Sequence, residues 1–302
     1  MSTKRVLKKG VRESFIIFIL FIIAIFVGIK VYKIYTSDVH KLTKIGYTID
    51  EINKIIELNK QEFFLNHSYH SKLLDFMGGK YYLEKNLDKY LAYYDNHTDK
   101  SIDEIITIIN VGIDKEFYTD IKETDLSKGN ALLVNKFYKL NSNYSPDNLV
   151  SVSNWYSYGN QKLSEEVYDK FLDMYSAAKK NNLEIIINDT YRTLEEQQDS
   201  WDAYGDSIAA RAGHSEHNTG LAIDVISPNS NSDNFDQTDE FKWLSTHAHE
   251  YGFILRYPKG KEYITGYDYE SWHYRYLGKD LATKVYESGL TYEEYYAYYL
   301  EK

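Results

Sequence analysis

Residues 14–34 restrict where this chain can live before anything else about it is considered. Ser14 is followed by FIIFILFIIAIFVGI, and the stretch continues to Ile34 with only Lys30 and Lys33 as charges, 21 residues in all. A helix of that length rises about 30 Å, the thickness of a bilayer's hydrocarbon, and the two lysines can snorkel to the far interface. Lys4, Arg5, Lys8, Lys9 and Arg12 precede it. A basic flank stays cytoplasmic, so everything after Tyr35 is expected outside the cell. A cleaved signal peptide needs a shorter apolar core and a small-residue cleavage site, which VYKIYTS does not supply. The expected order is a cytoplasmic tail over 1–13, a membrane helix over 14–34, a helical spacer over 36–111 and a catalytic domain over 112–302.

The charge balance narrows the function. The chain carries 35 Lys plus Arg against 45 Asp plus Glu, and seven of those cations lie in the first 35 residues beside the single acid Glu13. So acidic a body does not bind nucleic acid through phosphates, because such binding rests on clustered cations releasing counterions. Cysteine is absent. Disulfides, iron–sulfur centres, thiol nucleophiles and Cys-ligated zinc are therefore excluded, and any metal must use His and carboxylates.

Between residues 40 and 110 the pattern is helical, with two capping boxes, Thr48 with Glu51 and Ser101 with Glu104, each followed by an isoleucine stripe. The two segments hint weakly at a repeat, and a plain helical spacer is the preferred reading. His67 and His70 sit at i, i+3 with no carboxylate motif and read as a surface pair. From residue 112 to 153 the text is loop-rich and holds Pro146. Beyond it the periodicity predicts helices over 164–181, 193–203 and 238–250, strands over 183–187, 221–226, 253–257 and 272–276, and two terminal helices. Strands and helices do not alternate as βαβ units, so the expected class is α+β with a small, mainly antiparallel sheet flanked by helices.

Of nine histidines, two stand where a metal could use them. In GHSEHNTGLAID, His217 and Asp224 are separated by a Thr-Gly bend that leads into a strand. In ESWH, Glu270 and His273 open another. A catalytic zinc takes three protein ligands and keeps a fourth position open, and His217, Asp224 and His273 supply three. Glu270 is the candidate general acid/base. Residues 270 and 273 of an ideal strand point to opposite faces, so Glu270 must lie in the turn ahead of it. His214 reads as a turn or supporting residue, since a fourth protein ligand would close the site. His247 and His249 read as surface residues.

With these residues in hand, the sequence resembles the VanY-type zinc D-alanyl-D-alanine carboxypeptidases, together with related D-Ala-D-Ala dipeptidases and L,D-carboxypeptidases of bacterial cell walls. Their S-x-H-x-x-G-x-A-x-D pattern is matched by Ser215, His217, Gly220, Ala222 and Asp224, and their E-x-W-H pattern by Glu270, Trp272 and His273. The likeness runs from about 132 to 285, through LLVNKFYKL, YSPDNLV, YRTLEEQ and YGFILRYPKGKEYITGYDYE. NDTYR, ahead of the arginine, departs from the serine-glycine usual there. The resemblance implies the hedgehog-type fold of D-Ala-D-Ala peptidases, one zinc (Zn2+) on His217, Asp224 and His273, and Glu270 as base. It also implies that Arg192 meets the substrate carboxylate or the developing oxyanion, and that Gln197 and Ser215 touch substrate. A terminal carboxylate is matched bidentately by guanidinium, which supports an arginine there, with Arg211 and Arg256 as alternatives. The implied activity is removal of terminal D-alanine from peptidoglycan stem peptides. Cleavage of an L,D bond or an internal wall bond, and a non-catalytic wall-binding module, are the other readings.

Overall fold

The computed structural model describes residues 9–301. The basic residues before Lys9 lie outside them. The chain divides into two compact units, Met1–Asp103 and Glu104–Lys302.

In the first unit, α1 runs unbroken over Lys9–Ile45. α1 runs on without a break past residue 35, where the membrane segment is expected to give way to the spacer, because nothing there breaks a helix. The first breaker after Gly28 is Gly46, whose φ of +124° ends α1. From Phe15 to Ile34 the large apolar side chains of α1 are exposed, and the helix is long and apolar enough to cross a membrane. After it come α2 (Ile49–Glu57), α3 (Gln61–Asn66), α4 (Leu73–Met77), α5 (Leu87–Asn96) and α6 (Ile102–Val111). Thr48 caps α2 in the expected box with Glu51. Leu42, Ile52, Ile55, Phe64 and Phe76 are fully buried and form this unit's core. His67 lies just past the end of α3 and bonds the carbonyl of Phe63, whereas His70 meets Asp95 at 3.1 Å, so the two histidines share neither a helix face nor a partner. The division between units falls inside α6, earlier than the expected 111/112 boundary. Thr107 of this helix hydrogen-bonds Tyr298 at 2.9 Å, within the second unit.

The second unit carries three small sheets. Strands β1 (Lys122–Glu123) and β2 (Tyr138–Lys139) form a parallel pair, and β3 (Leu149–Ser151) and β4 (Lys162–Ser164) an antiparallel one. The main sheet is antiparallel with the order β5-β6-β8-β7, from β5 (Ile186–Asp189), β6 (Ala222–Ile226), β7 (Phe253–Tyr257) and β8 (Glu270–Tyr276). The architecture is thus helices with small, mainly antiparallel sheets, as expected. The first main strand starts three residues later than the sequence pattern places it and runs into polar Asn188 and Asp189. β6 explains this, because it pairs with Asp189 through a bulge at that point.

Helix α7 (Glu165–Lys180) buries Val167, Phe171, Met174 and Ala178, all at 0 % exposure, in one cluster with Ile187, Ile223, Val225 and Tyr274 of the sheet. Each such side chain contributes roughly 1.5–3 kcal/mol by leaving water. Alternation along the strands turns Asp224 and His273 to the opposite face, and the bulge after Ile187 sets Asp189 beside Asp224. Helices α8 (Leu194–Tyr204), α9 (Asp239–His247), α10 (Glu262–Thr265), α11 (Lys279–Ser288) and α12 (Tyr292–Tyr295) complete the unit. His247 stacks on Trp243 and His249 on Tyr286, both half-buried, so neither is the free surface residue that its spacing suggests.

Candidate active site

The register of the main sheet assembles the site. Asp224 on β6 pairs with Asp189 on one side and His273 on the other, so the three side chains share a face. His217 reaches the same place from the 3-10 turn Glu216–Thr219, which Ser215 caps by accepting from the His217 amide at 3.3 Å. The turn closes at Gly220 with φ +69°, and a Cβ there would lie 3.1 Å from Leu149. Only glycine fits both the left-handed backbone and the close approach. The spacing S-x-H-x-x-G-x-A-x-D thus encodes a capped turn, a left-handed exit and two inward strand positions.

Glu270 is the first residue of β8, opposite Tyr257, and not in the turn ahead of it. Between Leu255 and Tyr257 the ladder slips: Leu255 pairs with Tyr274, Tyr257 with Glu270. Two extra residues on β8 are accommodated there. This bulge, rather than a preceding turn, brings residues 270 and 273 to one side. Glu270 Oε2 lies 3.6 Å from His273 Nδ1.

The ligand-type atoms of His217, Asp224 and His273 all fall within 4.8 Å of one another. Asp224 Oδ1 is 3.4 Å from His217 Nε2 and 3.0 Å from His273 Nδ1, is buried, and makes no hydrogen bond of acceptable geometry. His217 Nδ1 faces the Thr190 carbonyl at 2.5 Å, and since a carbonyl only accepts, that nitrogen carries the hydrogen. Nε2 is left with a lone pair aimed at a carboxylate oxygen. Two lone pairs held that close repel one another unless a proton or a metal ion lies between them. The donor set, two imidazoles and one carboxylate with an orphaned oxygen, fits a zinc ion that keeps an open position.

Charge around the cluster agrees. Burial would push His273 down, yet the adjacent carboxylates of Asp224, Glu216 and Glu270 override it and hold the imidazole up at about 10 without a metal. Burial resists ionisation of Asp224, and His217 and His273 nevertheless hold it well below the usual carboxylate range. Burial raises Glu270 to about 7, with the Asp224 charge adding to this and His273 and Arg192 opposing it. A carboxylate that titrates near neutral pH can both take and return a proton.

Arg192 lines the same cavity, of about 290 Å³, together with Ser215, Tyr257 and Trp272. It donates from Nη1 to Gln197 Oε1 at 2.8 Å, and its Nε lies 3.3 Å from Asp189. Its backbone amide donates to the His217 carbonyl, and Asn218 ties the same segment to the turn. Gln197 lines the wall with its amide engaged at both ends, by Arg192 and by the Ala210 carbonyl, so it orients the arginine. Arg211 is spent on a bidentate pair with Asp206, and Arg256 is fully buried between Glu216 and Glu293. Neither alternative arginine faces the cavity. His214 is buried against the Asn135 carbonyl, away from the cluster.

Sequence reasoning passed over Glu216. It is buried inside the motif, 3.4 Å from His273 Nε2, and accepts from Arg256 Nε and Arg275 Nη1 at 2.7 Å each. By holding Nε2, it turns Nδ1 of His273 toward Asp224. Burial raises the pKa of its carboxyl, but the two guanidinium charges outweigh that and keep it ionised. Nothing in the motif itself signals this, because its partners lie 40 and 59 residues away.

Residues 160–279 match the family model for VanY, D-alanyl-D-alanine carboxypeptidase. The chain is 38 % identical over 205 residues to a putative carboxypeptidase, YodJ, of Bacillus subtilis, covering 61 % of this chain and 75 % of the relative. It is 36 % identical over 191 residues to a D-alanyl-D-alanine carboxypeptidase of Enterococcus faecium, covering 60 % and 62 %. Among solved structures, the LdcB LD-carboxypeptidase aligns at 34 % identity with a TM-score of 0.56, over 61 % of this chain and 92 % of that one.

Proposed function

Since the chain belongs to the VanY family of D-alanyl-D-alanine carboxypeptidases, which includes related L,D-carboxypeptidases, we propose that it removes terminal D-alanine from peptidoglycan stem peptides, held at the membrane by α1 with its second unit outside the cell. The observation that carries this reading is the convergence of His217, Asp224 and His273 within 4.8 Å, with Glu270 beside them and Arg192 in the same cavity. His217 would offer Nε2, Asp224 Oδ1 and His273 Nδ1 to one zinc. When bound, the ion supplies a Lewis acid for the scissile carbonyl and acidifies water. Glu270 takes the proton of the attacking water and returns it to the departing D-alanine amine. Arg192, steadied by Gln197 and Asp189, meets the terminal carboxylate or the developing oxyanion. Ser215 lines the substrate side of the cavity.

Likeness to the LdcB LD-carboxypeptidase supports a second reading within the same chemistry, cleavage of the L,D bond of a tetrapeptide. One experiment separates these. Full-length protein in detergent is assayed for zinc content and for D-alanine release from penta- and tetrapeptides, beside Glu270→Gln. The expected result is about one zinc in both proteins, release from the pentapeptide by wild type, and loss of at least about 100-fold in the variant. Release from the tetrapeptide alone moves the assignment to L,D. A zinc-loaded wild type that releases nothing from either peptide refutes the enzyme reading and favours a wall-binding module.

A further inference from the structure

A second chamber of about 390 Å³ adjoins the metal cavity. The two share Glu270, Trp272, Tyr267, Ile208 and Ala209 as a common wall. Lys136 stands on the far side of the chamber. Its amine lies 5.1 Å from the Phe117 ring, 5.5 Å from Tyr118 and 4.9 Å from Tyr267. Gly266, with φ +76°, lets this cage close, since a Cβ there would come within 2.8 Å of Phe117 and 3.1 Å of the Lys136 stem. The side chain is half-buried, and burial pushes its ammonium below the ordinary lysine value. Among the described residues no carboxylate lies within ion-pair distance of it. Asp206, which also lines the chamber, is committed to Arg211 and to the Trp201 indole. Asp268, at the exposed rim, makes no ion pair among the described residues.

A caged cation and an open anion thus face one chamber that adjoins the catalytic carboxylate. With the chain terminus at Arg192, the residues before the scissile bond would run past Glu270, which lines both cavities. Resting on the carboxypeptidase reading above, we infer that this chamber binds a stem-peptide side chain ending in a free amino-acid group, carboxylate toward Lys136 and ammonium toward Asp268, as diaminopimelate presents and lysine does not. Charge-assisted hydrogen bonds of this kind are the strong ones. A lysine side chain would bring a second ammonium to Lys136 and gain only Asp268.

The test uses pentapeptides ending in D-Ala-D-Ala whose third residue is diaminopimelate, diaminopimelate amidated on its side-chain carboxyl, or lysine. The kcat/KM of the full chain is measured for each, and their Kd on Glu270→Gln, which reads the chamber without turnover. The expected preference for free diaminopimelate over both others is about 10- to 100-fold, falling to near one in Lys136→Met and recovering in part in Lys136→Arg. Asp268→Asn, a change at an exposed position, is expected to reduce the same ratio severalfold. Equal affinity of the three peptides for Glu270→Gln, or an unchanged ratio in a folded Lys136→Met or in Asp268→Asn, overturns the assignment. A peptide amidated at its C-terminus supplies the remaining control: if Lys136→Met abolishes discrimination against it, the lysine serves the chain terminus and the inference is wrong. Preferential binding without any D-alanine release would instead sink the carboxypeptidase reading and leave the chamber assigned.

Discussion

At the scale of single residues, the proton on His217 is decided by one backbone carbonyl. Thr190 fixes it on Nδ1 and so frees Nε2, while Glu216 does the complementary task at Nε2 of His273. The two imidazoles therefore present different nitrogens, a detail that motif spacing does not contain. Without metal, Asp224 and Glu216 hold His273 protonated up to about 10, so a zinc ion taken up as proposed would displace that proton. Zinc affinity is expected to fall as pH falls, by about tenfold per unit below that value, with about one proton released per ion. Calorimetry in buffers of different ionisation enthalpy counts it, and zinc uptake without proton release would contradict the assignment. For Glu270 the sign is also set. Burial first, then the Asp224 charge, raise it to about 7 in the metal-free site, and a nearby dication only lowers that value. A protonated carboxyl cannot accept the water's proton, so kcat/KM should decline on acidification with a midpoint at or below about 7. A profile flat to pH 4 would remove Glu270 from the base role.

Among elements, the bulge in β8 is the device that makes the E-x-W-H motif work. Period-two alternation says that residues 270 and 273 diverge, and the expectation of a preceding turn was the only solution open to sequence reasoning. The actual solution depends on how β7 pairs with β8, which is a property of two strands. Likewise α12 supports the site from outside the motif. Its Glu293 takes both terminal nitrogens of Arg256 at 2.8 and 2.6 Å, and Arg256 then holds Glu216 behind His273. Glu293→Ala leaves a fully buried guanidinium with half its partners and is expected to cost about 3–5 kcal/mol of stability. Chemical denaturation against wild type measures this, and a loss below about 1 kcal/mol would mean that water reaches the network.

For the whole molecule, α1 predicts where the enzyme is found. Two arginines placed at Phe21 and Ile22 cost about 2.5–3.5 kcal/mol each at mid-bilayer and should shift the protein from membranes to the soluble fraction, read by fractionation at high pH. Wild type that leaves membranes equally well would end the anchoring proposal. The helix itself, the four strands of the main sheet, the capped start at Thr48 and the grouping of His217, Asp224 and His273 were all legible in the chain. They share a cause: each rests on residues close in sequence, through apolar periodicity, a side chain reaching its own helix start, or a turn that leads straight into a strand. What was not legible lies between distant segments. The bulge under Glu270, the engagement of Gln197 by the Ala210 carbonyl and the burial of Glu216 between Arg256 and Arg275 are such features. By itself the sequence determined which chemical groups the site contains. The tertiary structure alone decided which atom of each group faces the cluster and the cavity, because hydrogen-bond partners 27 to 59 residues away set those orientations.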